Sequence, residues 1–287
     1  LEFIAKNRMT TTSIRAVLFL AAASLVASQS PALADVLFSS DGSDSGIYVN
    51  SWVDYSGTVF GTGTGCTSES SNPFMVNGVS QGSYIAATSY PLAFLSTPAI
   101  ASAQGIWVGF LMRPIAPDTW AGGISLFSDT FLPADPRTMQ FAGLAGWWGN
   151  SMNLTLAGPD GGMASGGYSI ADGQDVAVLA HLYDTGNSGI FNTGDLYIDA
   201  NLTDGISFGT PLISDFTLGD AVSTIASVRL GADPVNPEIR DYDNIVVSTT
   251  EQEAIDGLNG VAPVPEPATL ALASLGGLSL LLFRRRK

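Results

Sequence analysis

Between residues 35 and 259 the apolar positions come in short runs, with no long stretch in the three-and-four spacing that lines one face of a helix. Residues 106–113 (IWVGFLMR) are apolar at odd and even positions alike, the pattern of a strand covered on both faces. Residues 176–183 (VAVLAHLY), 195–199 (DLYID), 223–230 (STIASVRL) and 242–247 (YDNIVV) read as further strands. Residues 122–127, 139–144 and 152–156 complete a closely spaced set in the middle. Clusters of Gly, Asp, Asn, Ser and Pro separate the runs at roughly the 8–12 residue spacing of sandwiches, with no helical stretch between them. The pattern predicts an all-β fold, a jelly-roll β-sandwich over 35–259. One helix is expected at its end. Thr250 with Glu253 three residues on forms a capping box, and Ala254, Ile255 and Leu258 supply an apolar edge.

The two ends follow another pattern. Arg15 precedes the apolar residues 16–27 (AVLFLAAASLVA), and Ala32-Leu33-Ala34 then gives the small-x-small site of a signal peptidase, with Asp35 as the expected mature start. Residues 1–34 therefore read as leader and signal peptide, with translation starting at Leu1 or Met9. At the other end a linker, 260–264, leads to Pro265-Glu266-Pro267, the apolar run 268–283 and the cations Arg284, Arg285, Arg286 and Lys287. A helix over 268–283 would be about 24 Å long, enough with its flanks for a bilayer core of about 30 Å. The basic cluster would stay on the cytoplasmic side, leaving everything before it outside.

This tripartite tail resembles the PEP-CTERM sorting signal of Gram-negative bacteria. The resemblance implies that exosortase, a membrane protease-transpeptidase, reads Pro265, Glu266 and Pro267 and cleaves nearby. The expected location is the inner membrane before processing, then the cell surface or extracellular matrix, commonly alongside exopolysaccharide. The expected partners are signal peptidase and the secretion machinery, the inner membrane, exosortase and a polysaccharide.

Composition narrows what the body can do. Of the chain's 11 Lys and Arg and 26 Asp and Glu, the span 35–264 keeps four arginines, no lysine and 24 acids, a formal charge of −20. That surface repels phosphate backbones, so nucleic acid is excluded as a partner. One cysteine, Cys66, and one histidine, His181, exclude a disulfide framework and any zinc site built from several such ligands.

Three stretches of the body resemble the concanavalin A-like lectin/glucanase (laminin-G-like) jelly roll. They are IWVGFLMRPI followed by GGISLFSD, VAVLAHLYDTGNSGIFNTGDLYIDANL, and ASVRLGAD leading to RDYDNIVVSTTEQEAI. Glucanases on this fold carry Glu-x-Asp-x-x-Glu along one strand, which sets two carboxylates about 5 Å apart for nucleophile and acid. The body has only Glu69, Glu238, Glu251 and Glu253, none in that pattern, so no catalytic residue is assigned and the protein is not expected to be an enzyme. Gly78-Val79-Ser80-Gln81-Gly82 matches the nucleophile-elbow pattern, but a strand-like segment follows where a helix is required, so the match reads as chance. His181, inside an apolar run, is expected to be packed or at a sheet edge.

Two weaker signals remain. Asp184, Asn187 and Asp195 lie in a Gly- and Asn-rich loop whose composition suits calcium, although its spacing is not an EF-hand's. Ordinary turn chemistry is the preferred reading and calcium the alternative. Trp120, Trp147 and Trp148 are the candidates for stacking on a sugar face, although neighbours on one strand point opposite ways, so at most one of the pair 147–148 would meet a ligand. The expected function is a non-catalytic, exported jelly-roll protein. The alternatives are a carbohydrate-binding module, calcium-dependent or not, and a polysaccharide-active enzyme.

Overall fold

A computed structural model describes residues 36–42, 66–87, 92–114, 121–128, 141–148, 153–158, 163–219, 222–231 and 240–261; side chains are not described for 121, 122, 141–148, 153, 231 and 240. The described residues form two antiparallel sheets, a short hairpin and one α-helix. The first sheet runs β14 (Ile213–Thr217), β13 (Thr193–Asp199), β12 (Val176–Tyr183), β7 (Ile106–Pro114), β16 (Arg240–Ser248), β5 (Tyr84–Ala87) and β2 (Cys66–Glu69). β1 (Val36–Ser40) lies on the same side of β16 as β5 and pairs with residues 245–248. The second sheet runs β11 (Met163–Ser169), β10 (Asn153–Ala157), β9 (Phe141–Trp148), β8 (Ala121–Phe127), β15 (Thr224–Gly231) and β6 (Leu92–Ile100). β6 is an edge strand, which lets Pro98 sit within it without breaking a ladder. The hairpin pairs β3 (Met75–Val76) with β4 (Val79–Ser80).

The core follows from alternation. Ile106, Val108, Phe110 and Met112 of β7 and Val176, Val178, Ala180 and Leu182 of β12 face Ile124, Leu126, Leu154, Leu156, Val228 and Leu230 of the second sheet. Each such buried Leu, Ile or Phe contributes about 1.5–3 kcal/mol. Tyr242 of β16 is fully buried there, and its hydroxyl accepts the N–H of Gly123 in β8 at 2.8 Å, so one hydrogen bond ties the sheets through the core.

The outer face of the first sheet is covered as well. Leu111, Ala177, Tyr84 and Ala86 pack with Phe74 and Val76 from the hairpin and with Leu202 and Ile206 from a 3₁₀ turn (Leu202–Asp204) and its continuation. Leu179 and Val246 pack with Ala254 of α1 (Glu251–Leu258). This second layer is why residues 106–113 are apolar on both faces. The Thr250 hydroxyl caps α1, accepting from the N–H of Glu253 at 3.4 Å and donating to its Oε2 at 3.0 Å. Gly109 makes the close approach possible: a Cβ there would lie 2.9 Å from Leu258 Cδ1.

The all-β jelly-roll sandwich and the capped helix are thus present as the pattern predicted. The expected signal and transmembrane helices lie outside the described residues, among which no helix is long and apolar enough to cross a membrane.

Candidate functional site

The residues expected to direct sorting and processing, Pro265, Glu266, Pro267, Arg284, Arg285, Arg286, Ala32 and Ala34, fall outside the described residues, as does Trp120. Trp147 and Trp148 are placed by backbone at the end of β9, opposite Gly122 and Ala121. The structure groups none of these with the Asp184 loop.

That loop joins β12 to β13 and is closed by its own donors. Asp184 is buried; its Oδ1 accepts the N–H and hydroxyl of Ser188 at 2.9 and 2.6 Å and Asn192 Nδ2 at 3.3 Å. Its Oδ2 accepts the N–H of Gly189 at 2.6 Å. The Ser188 hydroxyl and these backbone donors hold the carboxyl below its ordinary range, against the opposing effect of desolvation. Asn187 takes the left-handed conformation (φ 56) that Asn tolerates in turns. Asp195 lies apart from Asp184, on β13, where its Oδ1 accepts the N–H of Asp215 at 2.8 Å. Three of the four short contacts to Asp184 come from residues 188 and 189, the geometry of a turn. Among the described residues no three or more His, Cys, Asp or Glu side chains are grouped to hold a metal.

Ser80 stands in the two-residue strand β4, after an Asn77–Gly78 turn with positive φ at both positions. A hairpin replaces the strand-turn-helix that an elbow requires. His181 is an interior position of the first sheet, half-buried on the outer face, and not at an edge.

His181 anchors a group that sequence reading did not single out. Its ring stacks on Trp107 of β7 (centroids 4.0 Å apart, 6° between planes) and on Tyr183 (4.5 Å, 18°), and Tyr197 of β13 lies 6.0 Å from Trp107. The carbonyl of Gln104 accepts from His181 Nε2 at 2.8 Å, which puts the neutral ring's proton on that nitrogen. Nδ1 then faces Asp195 Oδ2 at 3.7 Å. The Tyr183 hydroxyl donates to Asp215 Oδ1 at 3.0 Å. Burial lowers the His181 pKa despite the pull of the Gln104 carbonyl and Asp195, and burial with the neighbouring carboxylates raises Tyr183. The cross-strand pairing His181 with Trp107 and with Asp195 creates this cluster, and pairing is invisible in a linear pattern.

A second charged group is structural. Arg113 at the end of β7 grips Asp175 with Nε at 2.5 Å and Nη2 at 3.1 Å, and reaches Asp241 with Nη1 at 3.1 Å. Its guanidinium lies 4.4 Å over the Phe74 ring. Two residues along β16, Asp243 is fully buried; Oδ1 accepts the N–H of Asn244 at 2.8 Å, and Oδ2 has no hydrogen-bond partner. Desolvation pushes Asp243 up to about 8 and Asp241 up to about 6, the latter against the attraction of Arg113.

Residues 263–287 match the family model of the PEP-CTERM protein-sorting motif. The chain ends in a PEP-CTERM sorting motif. The match takes in the tripeptide, the apolar run and the basic cluster, and the PEP-CTERM motif implies export with a C-terminal membrane anchor before processing. Comparison with curated proteins gives no match. Among solved structures the chain is similar to the T. cruzi calreticulin globular domain, at 12% identity and TM-score 0.48, covering 87% of this chain and 100% of that one. It is also similar to domain 4 of AbnA, a GH43 extracellular arabinanase from Geobacillus stearothermophilus in complex with arabinotriose, at 13% identity and TM-score 0.46, covering 78% and 98%. The exoplasmic/lumenal domain of VIP36, bound to Ca2+ and Man3GlcNAc, matches at 10% identity and TM-score 0.38, covering 65% and 88%.

Proposed function

We propose that this chain is an exported protein processed by exosortase, whose β-sandwich serves at the cell surface or in the extracellular polysaccharide matrix without catalysing a reaction. The observation that carries the reading is the PEP-CTERM motif at 263–287 behind a body with its own two-sheet core. In this reading signal peptidase cuts after Ala34, the secretion machinery passes the body outward, and residues 268–283 hold it in the inner membrane. Pro265, Glu266 and Pro267 are presented to exosortase while Arg284, Arg285 and Arg286 stay on the cytoplasmic side. The leader spans 1–34, the body 35–259, the linker 260–264 and the sorting signal 265–287.

A non-catalytic body is supported by where the reactive residue types lie. Ser80 is in a hairpin, His181 is engaged by Gln104 and two aromatic rings, and the body's glutamates are not in the glucanase pattern. Calcium stays an alternative for the 184–195 segment, where the donors around Asp184 favour the turn.

The test is fractionation of cells with and without exosortase, alongside a Pro265→Ala/Glu266→Ala double variant. The expected result is a shortened form outside the inner membrane in wild-type cells and a full-length, membrane-bound form in both other cases. Identical length and distribution in all three would defeat the proposal.

A further inference from the structure

The outer face of the first sheet is closed by apolar packing except where β12, β13 and β14 carry Trp107's neighbours His181, Tyr183, Asp195, Tyr197 and Asp215. Three aromatic side chains and three carboxylates meet there. Asp195 Oδ2 faces only the imidazole, Asp215 uses Oδ1 for Tyr183, and Glu251 in the first turn of α1 adds its negative field at His181 and Tyr197. No arginine joins the group in any described ion pair; Arg113 is engaged with Asp175 and Asp241, and Arg229 lies over Phe127 of the second sheet. The one basic side chain present, His181, is disfavoured as a cation by its burial. A half-buried carboxylate such as Asp195, 14% exposed in its side chain, costs free energy unless a positive charge or donors answer it. Aromatic faces and edges beside uncompensated carboxylates are the setting in which an organic ammonium is held, by charge and by the ring quadrupoles together. The surrounding body has no lysine and a formal charge of −20, so its field draws cationic ligands and repels anionic ones.

From this we infer that the Trp107–Tyr183–Tyr197 cluster, with Asp195, Asp215 and Glu251, binds the free ammonium of an amino sugar in a cationic polysaccharide. The carboxylates hold the ammonium, and the tyrosine and tryptophan rings cover the sugar's apolar C–H surface. The hydroxyls of Thr185 and Thr193, exposed or half-exposed and 2.6 Å apart at the rim, are placed to meet ring hydroxyls. The choice of a saccharide as carrier rests on the matrix reading above; the ammonium chemistry stands on the cluster alone.

The test is equilibrium binding by the detergent-purified full chain of three probes of equal length: a glucosamine oligomer, its fully N-acetylated counterpart and oligolysine. Asp215→Asn and Glu251→Gln remove charge from exposed positions where folding is not at risk. Asp172→Asn, at an exposed turn away from the cluster, removes the same charge elsewhere. The glucosamine oligomer should bind at least tenfold tighter than the N-acetylated one. That binding should weaken at least fivefold in each cluster variant and stay within twofold in Asp172→Asn. Equal affinity for the acetylated oligomer, or equal weakening by Asp172→Asn, overturns the site. Oligolysine binding as tightly as glucosamine, with the same variant sensitivity, overturns the saccharide assignment. A chain that binds glucosamine in this way but is not processed by exosortase would refute the sorting proposal and leave this one standing.

Discussion

Replacing Asp243 by Asn should stabilise the protein and remove a pH dependence that the wild type shows. The carboxyl is fully buried with one orphaned oxygen, and its pKa is pushed up to about 8 from an ordinary value near 3.8. A raised folded-state value means that the fold favours the protonated acid. The group's contribution is therefore fully present below the unfolded value and drains away as pH rises toward 8. At pH 7 the accumulated loss is about 4 kcal/mol relative to a group that never ionises. Asn keeps the shape and can still accept from the Asn244 N–H, so most of that loss should be recovered. The clean window is pH 6.5–8. Asp241, raised to about 6, has ceased to change there, and His181, lowered by burial, is neutral in the fold throughout. Across that window the wild type should lose roughly 1.5 kcal/mol and the variant almost none. With an m-value of about 2–3 kcal/mol per molar urea, the wild-type midpoint should fall by about 0.5–0.8 M. The assay is urea unfolding of the processed protein, followed by tryptophan fluorescence, with a chelator present so that no divalent cation answers the ionised carboxylate. Parallel midpoints for wild type and Asp243→Asn from pH 6.5 to 8 would refute the reasoning.

Other positions give independent checks. Tyr242→Phe leaves the Gly123 N–H without its acceptor between the sheets, and should cost about 1–3 kcal/mol in chemical denaturation with secondary structure unchanged by circular dichroism. Gly109→Ala forces Leu258 outward, so α1 should exchange its amide hydrogens faster and stability should drop by about 1–3 kcal/mol. Arg113→Met strands the buried Asp241 and should cost about 3–5 kcal/mol, mostly regained when Asp241→Asn is added. Asp184→Ala removes the acceptor that organises residues 188–192, and limited proteolysis should then cut within that segment at a protease level the wild type resists.

The strands that form the middle of the sandwich were legible because burial dictates their composition. Residues 176–183 coincide with β12, and residues 106–113 sit within β7, apolar on both faces because a second layer covers the sheet. The edges were harder to see. β11 (MASGGYS) and β14 (ISDFT) expose most of their length, so small and polar residues suffice and little periodicity remains. β9 was expected at 139–144 but runs Phe141–Trp148, since pairing with β8 carries it past the apolar residues. β5 and β6 were missed because their membership depends on β16 and β15, far along the chain. The sorting tail was readable as text because it is linear. The cluster around His181 was not, because Trp107 and Asp195 come within reach only through register.

The first and last strands of the body zip together, Val36 opposite Ser248, and β1 delivers Phe38 to the core. The sheet therefore cannot be completed until its final segment has crossed the membrane. Pairing partners some two hundred positions apart make closure late and slow compared with local hairpins. During transit the polypeptide stays a pliable thread, which suits a narrow translocation channel. Assembly into a rigid body is deferred to the far side, where only the tail still tethers it.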